Sequence, residues 1–225
     1  MKTETTILGR PLTLKRKRIM IYFIEATEKL LRSEGIANLS IRKIATEAGY
    51  NSATIYNYFD DLKQLITFGS VCYLREYVAR LEKGLKSDMR AIDQYRTIYR
   101  CFNLCALQTP EIYHNLFFGK YSDMLGEVLH LYYQELFPGE LEHFSTEMRS
   151  MLMQGSMAER DRIIMERIVR EGDIRPEKAA ITMELIIALH QNFLYEACLR
   201  QEQLDTKAHQ EKFNQMFDYL LAAGR

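Results

Sequence analysis

Apolar residues recur at helical spacing along nearly the whole chain, and the two-residue alternation of half-buried strands is absent. From about Arg18 to Ser33, Met20, Phe23, Ile24, Thr27, Leu30 and Leu31 share one stripe, and Gly35 follows as a C-terminal stop. Ser40 can cap a second helix carrying Ile41, Ile44, Ala45 and Ala48, which Gly49 closes because glycine tolerates the left-handed turn conformation. Asn51 can cap a third helix, predicted over Ser52 to Tyr58. Asp61 and Gln64 stand at capping-box spacing for a fourth, predicted over about 61–83. Further stripes predict helices over 88–107, from Pro110 to Phe118, and over 122–136. A helical stretch with a weak point at Gly155 follows, and then two last helices over about 176–200 and 207–222. The expected fold is all-α.

Composition adds that this is a core-forming chain. Of 225 residues, 47% are hydrophobic, and Gly and Pro are scarce. The formal net charge is zero, but residues 1–60 hold ten Lys or Arg against six Asp or Glu, so the rest is net negative. The apolar run after "LKRKR" ends at Glu25 with no small-residue cleavage site, so no signal peptide is expected there. No apolar run has the length of a membrane span. Cys72, Cys101, Cys105 and Cys198 lie in apolar helical stretches, as reduced thiols would. A cytoplasmic protein without a membrane partner is expected.

The basic N-terminal end gives the first helices a chemistry. Two short helices around a glycine turn make a helix-turn-helix, whose second helix can enter a DNA major groove. Ala45 and Ala48 allow a close crossing, and Ile55 and Phe59, four apart, share an inward face. That leaves Ala53, Thr54, Tyr56, Asn57 and Tyr58 outward, with hydroxyl and amide groups suited to phosphates and base edges. Arg42 is placed to hold the backbone, and Lys15, Arg16, Lys17 and Arg18 supply counterion-releasing charge. The same pattern also describes a three-helix subdomain with surface tyrosines.

The stretch "LSIRKIATEAGYNSATIYNYFDDLKQLI" resembles the DNA-binding signature of the TetR (tetracycline repressor-like) family of bacterial transcription regulators. The matching positions are Ser40, Ile44-Ala45, Ala48-Gly49, Thr54-Ile55-Tyr56 and Phe59, within about residues 18–66. The resemblance implies a homodimer on a near-palindromic double-stranded DNA operator, released by a small molecule, and more often a repressor than an activator. It implies a basic arm (1–17), a helix-turn-helix domain (18–66) linked through the fourth helix, and a C-terminal helical domain for regulation and dimerisation (67–225). The implied DNA contacts are Arg42, Ser52, Ala53, Thr54, Tyr56, Asn57 and Tyr58, with Lys17 and Arg18 from the arm. Leu62 departs from the family's usual lysine, and Lys63 is the neighbouring substitute.

In the larger half, Tyr95, Tyr99, Phe102, Tyr113, Phe117 and Tyr132 are candidates to line a pocket for a hydrophobic or aromatic effector. Aromatic stripes at this spacing are equally a core. Arg96 and Arg100 can meet an anionic ligand or simply face solvent. The resemblance implies that the last two helices form the dimer interface, with Leu185, Leu189 and Phe193 on one, and Phe213 and Phe217 on the other. Cys101, Cys105 and His114 offer no second ligand pair at metal spacing, and the two thiols read as buried core. No cofactor and no metal are expected. Among other readings, a helical module binding a protein partner stays open. An enzyme is disfavoured by the lack of GxGxxG, GxSxG, HExxH and Walker-type loops.

Overall fold

The computed structural model describes residues 6–7, 10–86, 88–142, 144–200 and 203–225. Twelve α-helices occur among them. The N-terminal four are α1 (Leu14–Glu34), α2 (Ile41–Ala48), α3 (Ser52–Ile55) and α4 (Leu62–Ser70). The larger part holds α5 (Leu74–Gly84), α6 (Ala91–Ala106), α7 (Pro110–Phe118), α8 (Leu125–His130), α9 (Thr146–Leu152), α10 (Met157–Arg170), α11 (Pro176–Arg200) and α12 (Thr206–Ala223).

The caps follow the sequence. The Ser40 hydroxyl accepts from the Lys43 amide at 3.3 Å, Asn51 Oδ1 from Ala53 at 2.9 Å and Asp61 Oδ1 from Gln64 at 2.9 Å. Gln64 Oε1 accepts from the amide of Asp60, one residue before the cap, at 2.8 Å, so the reciprocal bond of a capping box to Asp61 itself is not made. Gly49 adopts φ +76° and ψ +27°, the left-handed conformation that closes α2.

The structure departs from the predicted elements in several places. A two-residue antiparallel bridge, Thr6–Ile7 with Arg10–Pro11, precedes α1. The helix α1 starts at Leu14, capped by Thr13, so Lys15, Arg16, Lys17 and Arg18 stand on its first turns and not on an arm. Residues 1–5 and 8–9 of that arm lie outside the described residues. The α-helix predicted to Tyr58 stops at Ile55. Asn57 and Tyr58 then bond back three residues, to Thr54 and Ile55, so the chain tightens into a turn before Phe59 plugs the core. The predicted fourth helix is interrupted by a 3₁₀ turn, Val71–Tyr73, between α4 and α5. The weak point at Gly155 is a full break, where Ser156 and Glu159 form a capping box for α10. The last turn before Phe137, Leu131–Leu136, is π-helical.

One buried cluster runs from Met20 through Phe59, Tyr77, Phe102 and Ile168 to Leu221. The first helix packs on α2 and α4, while α11 packs on α7, α10 and α12. Charged contacts also join the two parts. Arg75 on α5 reaches Glu28 on α1 and Glu140 beyond the π turn, each at 3.3 Å, and Lys120 after α7 holds the capping Asp61 at 2.6 Å. No helix among the described residues is long and apolar enough to cross a membrane.

Candidate nucleic-acid interface and effector cleft

The helix-turn-helix is fixed from beneath by aromatic packing. Phe59 is fully buried and meets Phe23 and Phe68 edge-on, with ring centroids 6.4 and 5.6 Å apart. Ile44, Ala45 and Ile55 close the same core. The burial of Ile55 and Phe59 turns the rest of the segment outward. Ala53, Tyr56 and Asn57 are exposed, Tyr56 to 57%, and Ser52, Thr54 and Tyr58 are half-buried beside them. Arg42 and Lys63 are exposed on the flanking helices.

The basic residues of α1 divide in role. Lys17 is committed to Glu135, in the π turn, at 2.5 Å. The Arg16 guanidinium lies over the Tyr58 ring, 4.8 Å from its centroid, and so braces the recognition turn. Arg18 is exposed. On α2, Lys43 is held by Glu34 at 2.5 Å and by the Asn38 carbonyl at 2.9 Å. Arg42 therefore stands as the exposed cation of this helix without an ion pair among the described residues.

The six aromatic residues expected to line a pocket are all buried. Phe102 packs edge-on against Tyr113 and Phe117 at 5.2 and 5.0 Å, and Tyr95 against Tyr99 at 5.2 Å. Tyr132 is apart from them, stacked on Phe137 at 4.4 Å near the Arg75–Glu140 pair. They form wall and core more than lining. Of the six, Tyr99 borders a groove of about 400 Å³ that it shares with Phe213 and Phe217. There Arg96 is already paired with Asp93 and Asp218, at 3.0 and 2.8 Å.

The larger cleft, of about 830 Å³, lies elsewhere, among α5, α6, α9 and α10. Leu85, Ile98, Met148, Met151, Ile163 and Ile164 give it apolar walls. Sequence reasoning missed its polar floor. Asp161 is buried, and its Oδ2 accepts from Tyr95 Oη at 2.8 Å and Tyr99 Oη at 2.6 Å. Burial raises its pKa to about 7, against the lowering effect of the two hydroxyls and of Arg160. A signal was present, because Asp161 falls on the apolar register of Met157, Ile164, Met165 and Ile168. A lone acid on a buried stripe marks a site to inspect.

The dimer candidates also separate. Phe193, Phe213 and Phe217 point into the core, where Phe193 stacks on His209 at 4.2 Å, so they are not free to meet a partner. Leu185 is exposed and Leu189 partly so. The outward apolar row on α11 is Ile181, Leu185, Ala188, Tyr195 and Leu199, and α12 adds Met216 and Tyr219. Burial raises the thiol pKa of Cys72 to about 12 and of Cys105 to about 11, the behaviour of inert core thiols.

Residues 23–67 match the family described as bacterial regulatory proteins, tetR family. An uncharacterized HTH-type transcriptional regulator of Haemophilus influenzae (strain ATCC 51907 / DSM 11121 / KW20 / Rd) is 31% identical over 91 residues, which cover 40% of this chain and 49% of that protein. The chain thus matches about half the length of this relative. The solved structure of SmeT, the repressor of the Stenotrophomonas maltophilia multidrug efflux pump SmeDEF, aligns with 91% of this chain and 89% of its own at 16% identity, with a TM-score of 0.52. That of Mycobacterium smegmatis BioQ aligns with 90% and 97% at 15% identity, with a TM-score of 0.54. At these identities the likeness is one of fold, and it spans both parts of the chain.

Proposed function

We propose, from the premise that this chain carries the DNA-binding domain of the tetR family of bacterial regulatory proteins, that it regulates transcription by binding an operator as a homodimer and leaving it when a small molecule binds. The observation that supports DNA reading most directly is the outward face of the turn after Asn51. Small, amide and phenolic groups are held out there by two fully buried anchors, Ile55 and Phe59. Ala53 permits close approach to a groove, Asn57 can pair with adenine, and Tyr56 can donate to a phosphate. Repression follows from occupancy of a promoter. The matched family is one of regulators and not of enzymes.

A dimer is supported by the unpartnered apolar row on α11 and α12, through which a second copy would place two reading heads on half-sites about 34 Å apart. Effector release is supported by the cleft and by the ties between the two parts. Arg75, Lys120 and Lys17 each span them, so a ligand that shifts α5 or the π turn biases the reading head.

The test is binding to duplex DNA from upstream of the chain's own gene over a salt series, beside a variant carrying Tyr56→Ala and Asn57→Ala. Sequence-selective binding that weakens steeply with salt and is lost in the variant supports the reader. Failure on that DNA and in a selection from random duplexes returns the N-terminal part to a protein-binding role.

A further inference from the structure

We infer that the cleft among α5, α6, α9 and α10 takes an amphiphilic monocarboxylic acid, whose apolar body lies along the cleft and whose carboxylate pairs with the Arg160 guanidinium. The assignment rests on the reading that this larger part holds an effector, and it names the chemical class. The charges of the lining set the sign. Three cations, Lys86, Arg160 and Arg167, and two acids, Glu82 and Asp161, border the cleft. The excess is positive, and it grows when Asp161 takes a proton. Lys86, Glu82 and Arg167 are exposed at the mouth, where water screens them. Glu82 already accepts from the Ser145 amide at 2.8 Å, and Arg167 donates to Gln94 at 2.9 Å. Recognition of a head group therefore falls on the two deep residues, Arg160 and Asp161.

Arg160 is held in place and incompletely used. Its Nε donates to the Gln154 carbonyl at 2.9 Å and its Nη2 to the Leu152 carbonyl at 3.2 Å, and the guanidinium lies over the Phe117 ring, 5.0 Å from the centroid. Its Nη1 is buried and has no hydrogen-bond partner. A charged donor orphaned in the interior is costly, and an acceptor brought by a ligand removes that cost. Met148 and Met151, the flexible side chains of the lining, can yield to admit an oxygen, while Leu85, Ile98, Ile163 and Ile164 take the apolar body. Tyr77 also borders the cleft, within reach of the Arg160 charge. Burial holds its phenol well above the ordinary range, so it stays a neutral donor for the same head group.

Asp161 couples this binding to pH. The titratable groups around it are Arg160 on its own helix, Tyr95 and Tyr99 on α6, and Tyr77 on α5. The two α6 hydroxyls donate to its Oδ2, and burial raises its pKa to about 7 against them and against Arg160. An arriving carboxylate raises it further, so the acid binds with uptake of a proton. Once protonated, Asp161 no longer shares the Arg160 charge. Glu159, the remaining acid beside Arg160 in sequence, is spent on the Gly155 and Ser156 amides, at 3.1 and 3.0 Å.

The experiment titrates the full chain, without DNA, with three fluorescent probes of similar body. Dansyl-ε-aminocaproate ends in a carboxylate, its primary amide is neutral, and dansylcadaverine ends in an ammonium. At about pH 7 the carboxylate probe is expected to bind at least about tenfold tighter than the amide, and the ammonium probe no tighter than the amide. Arg160→Met should remove the preference for the carboxylate, whereas a purely structural loss would weaken all three probes and leave the preference. In the unaltered chain, affinity for the carboxylate probe should rise as pH falls from about 9 to about 7 and then level off, while that for the amide stays flat. Asp161→Asn should abolish the rise. The pH series on the unaltered chain decides the matter even if a variant does not fold. Equal binding of carboxylate and amide, tighter binding of the ammonium probe, no binding of any probe, a preference that survives Arg160→Met, or a carboxylate affinity indifferent to pH overturns the proposal. Because no DNA is present, loss of the operator reading leaves this result untouched, and an acid that binds without releasing operator fails only the effector role.

Discussion

Lys17 Nζ, on the first turns of α1, lies 2.5 Å from Glu135, 118 residues later in the π turn. A residue that charge alone assigns to phosphate binding therefore ties the first helix to the larger helical part. This fixes what its removal should do. Lys17→Ala should leave the slope of log K against log salt for DNA binding unchanged, whereas Arg42→Ala should lower it by about one. Binding titrations at several salt concentrations decide it. A slope lowered equally by both variants places Lys17 on the DNA.

Gly49 and Gly69 should resist side chains for different reasons. Gly49→Ala puts a Cβ on a left-handed backbone, with open space around it, and should cost about 1 kcal/mol. Gly69→Ala meets no backbone strain, but its Cβ would lie 2.6 Å from Thr27 Cγ2 at the crossing of α1 and α4, costing about 1–3 kcal/mol. Truncating Thr27 to serine should recover part of the second loss and none of the first. Urea unfolding of the three single variants and of the two doubles that carry Thr27→Ser measures all of this.

The outward row on α11 should control assembly, and the inward phenylalanines should not. Leu185→Glu with Leu199→Glu should leave a folded monomer. Phe213→Ala should destabilise by about 3–5 kcal/mol through the cavity it leaves. Light scattering at several concentrations, with thermal melts, separates the two effects. A dimer that survives the paired glutamates moves the interface to another face.

Two buried groups should give opposite pH slopes. His190 is fully buried among Tyr99, Phe102, Phe193 and Phe213, and burial lowers its pKa to about 3. The unfolded chain then binds the extra proton, so stability is full above pH 6.5 and lost as pH falls towards 3. Asp161 is the reverse case. Its pKa is raised to about 7, so its contribution is full below pH 3.8 and lost as pH rises through 7. Between about pH 4.5 and 6 the two slopes, about 1.4 kcal/mol per pH unit each, oppose one another. Asp161→Asn should therefore lose stability on acidification through that window, and His190→Gln should gain it. Denaturant melts at three pH values test the pair, and parallel curves for both variants would contradict the assigned burial.

The N-terminal fold was legible because its signals are local. Ser40, Asn51 and Asp61 cap helices with their own side chains, Gly49 bends where only glycine does so freely, and Ile55 and Phe59 share a face through a four-residue spacing. The third helix was overread because the same residues suit an α-turn or a 3₁₀ turn. The choice came from Phe59 locking between Phe23 and Phe68.

The later helices were legible as helices but not as surfaces. On α11, Ile186, His190, Phe193 and Leu194 face inward while Ile181, Leu185, Tyr195 and Leu199 face outward, so the helix is apolar on two sides. Periodicity reports that a stripe exists, not which stripe another helix covers.

The sequence by itself determined the all-α class, the caps and turns of the helix-turn-helix, and the outward Tyr56-Asn57 pair, because each depends on neighbours within about four residues. Only the tertiary structure decided that Lys17 is bound to Glu135, that the aromatic set is mostly core, and that Asp161 floors the large cleft. Those outcomes depend on groups tens of residues apart, whose meeting is set by how helices cross and by which buried charge finds a partner.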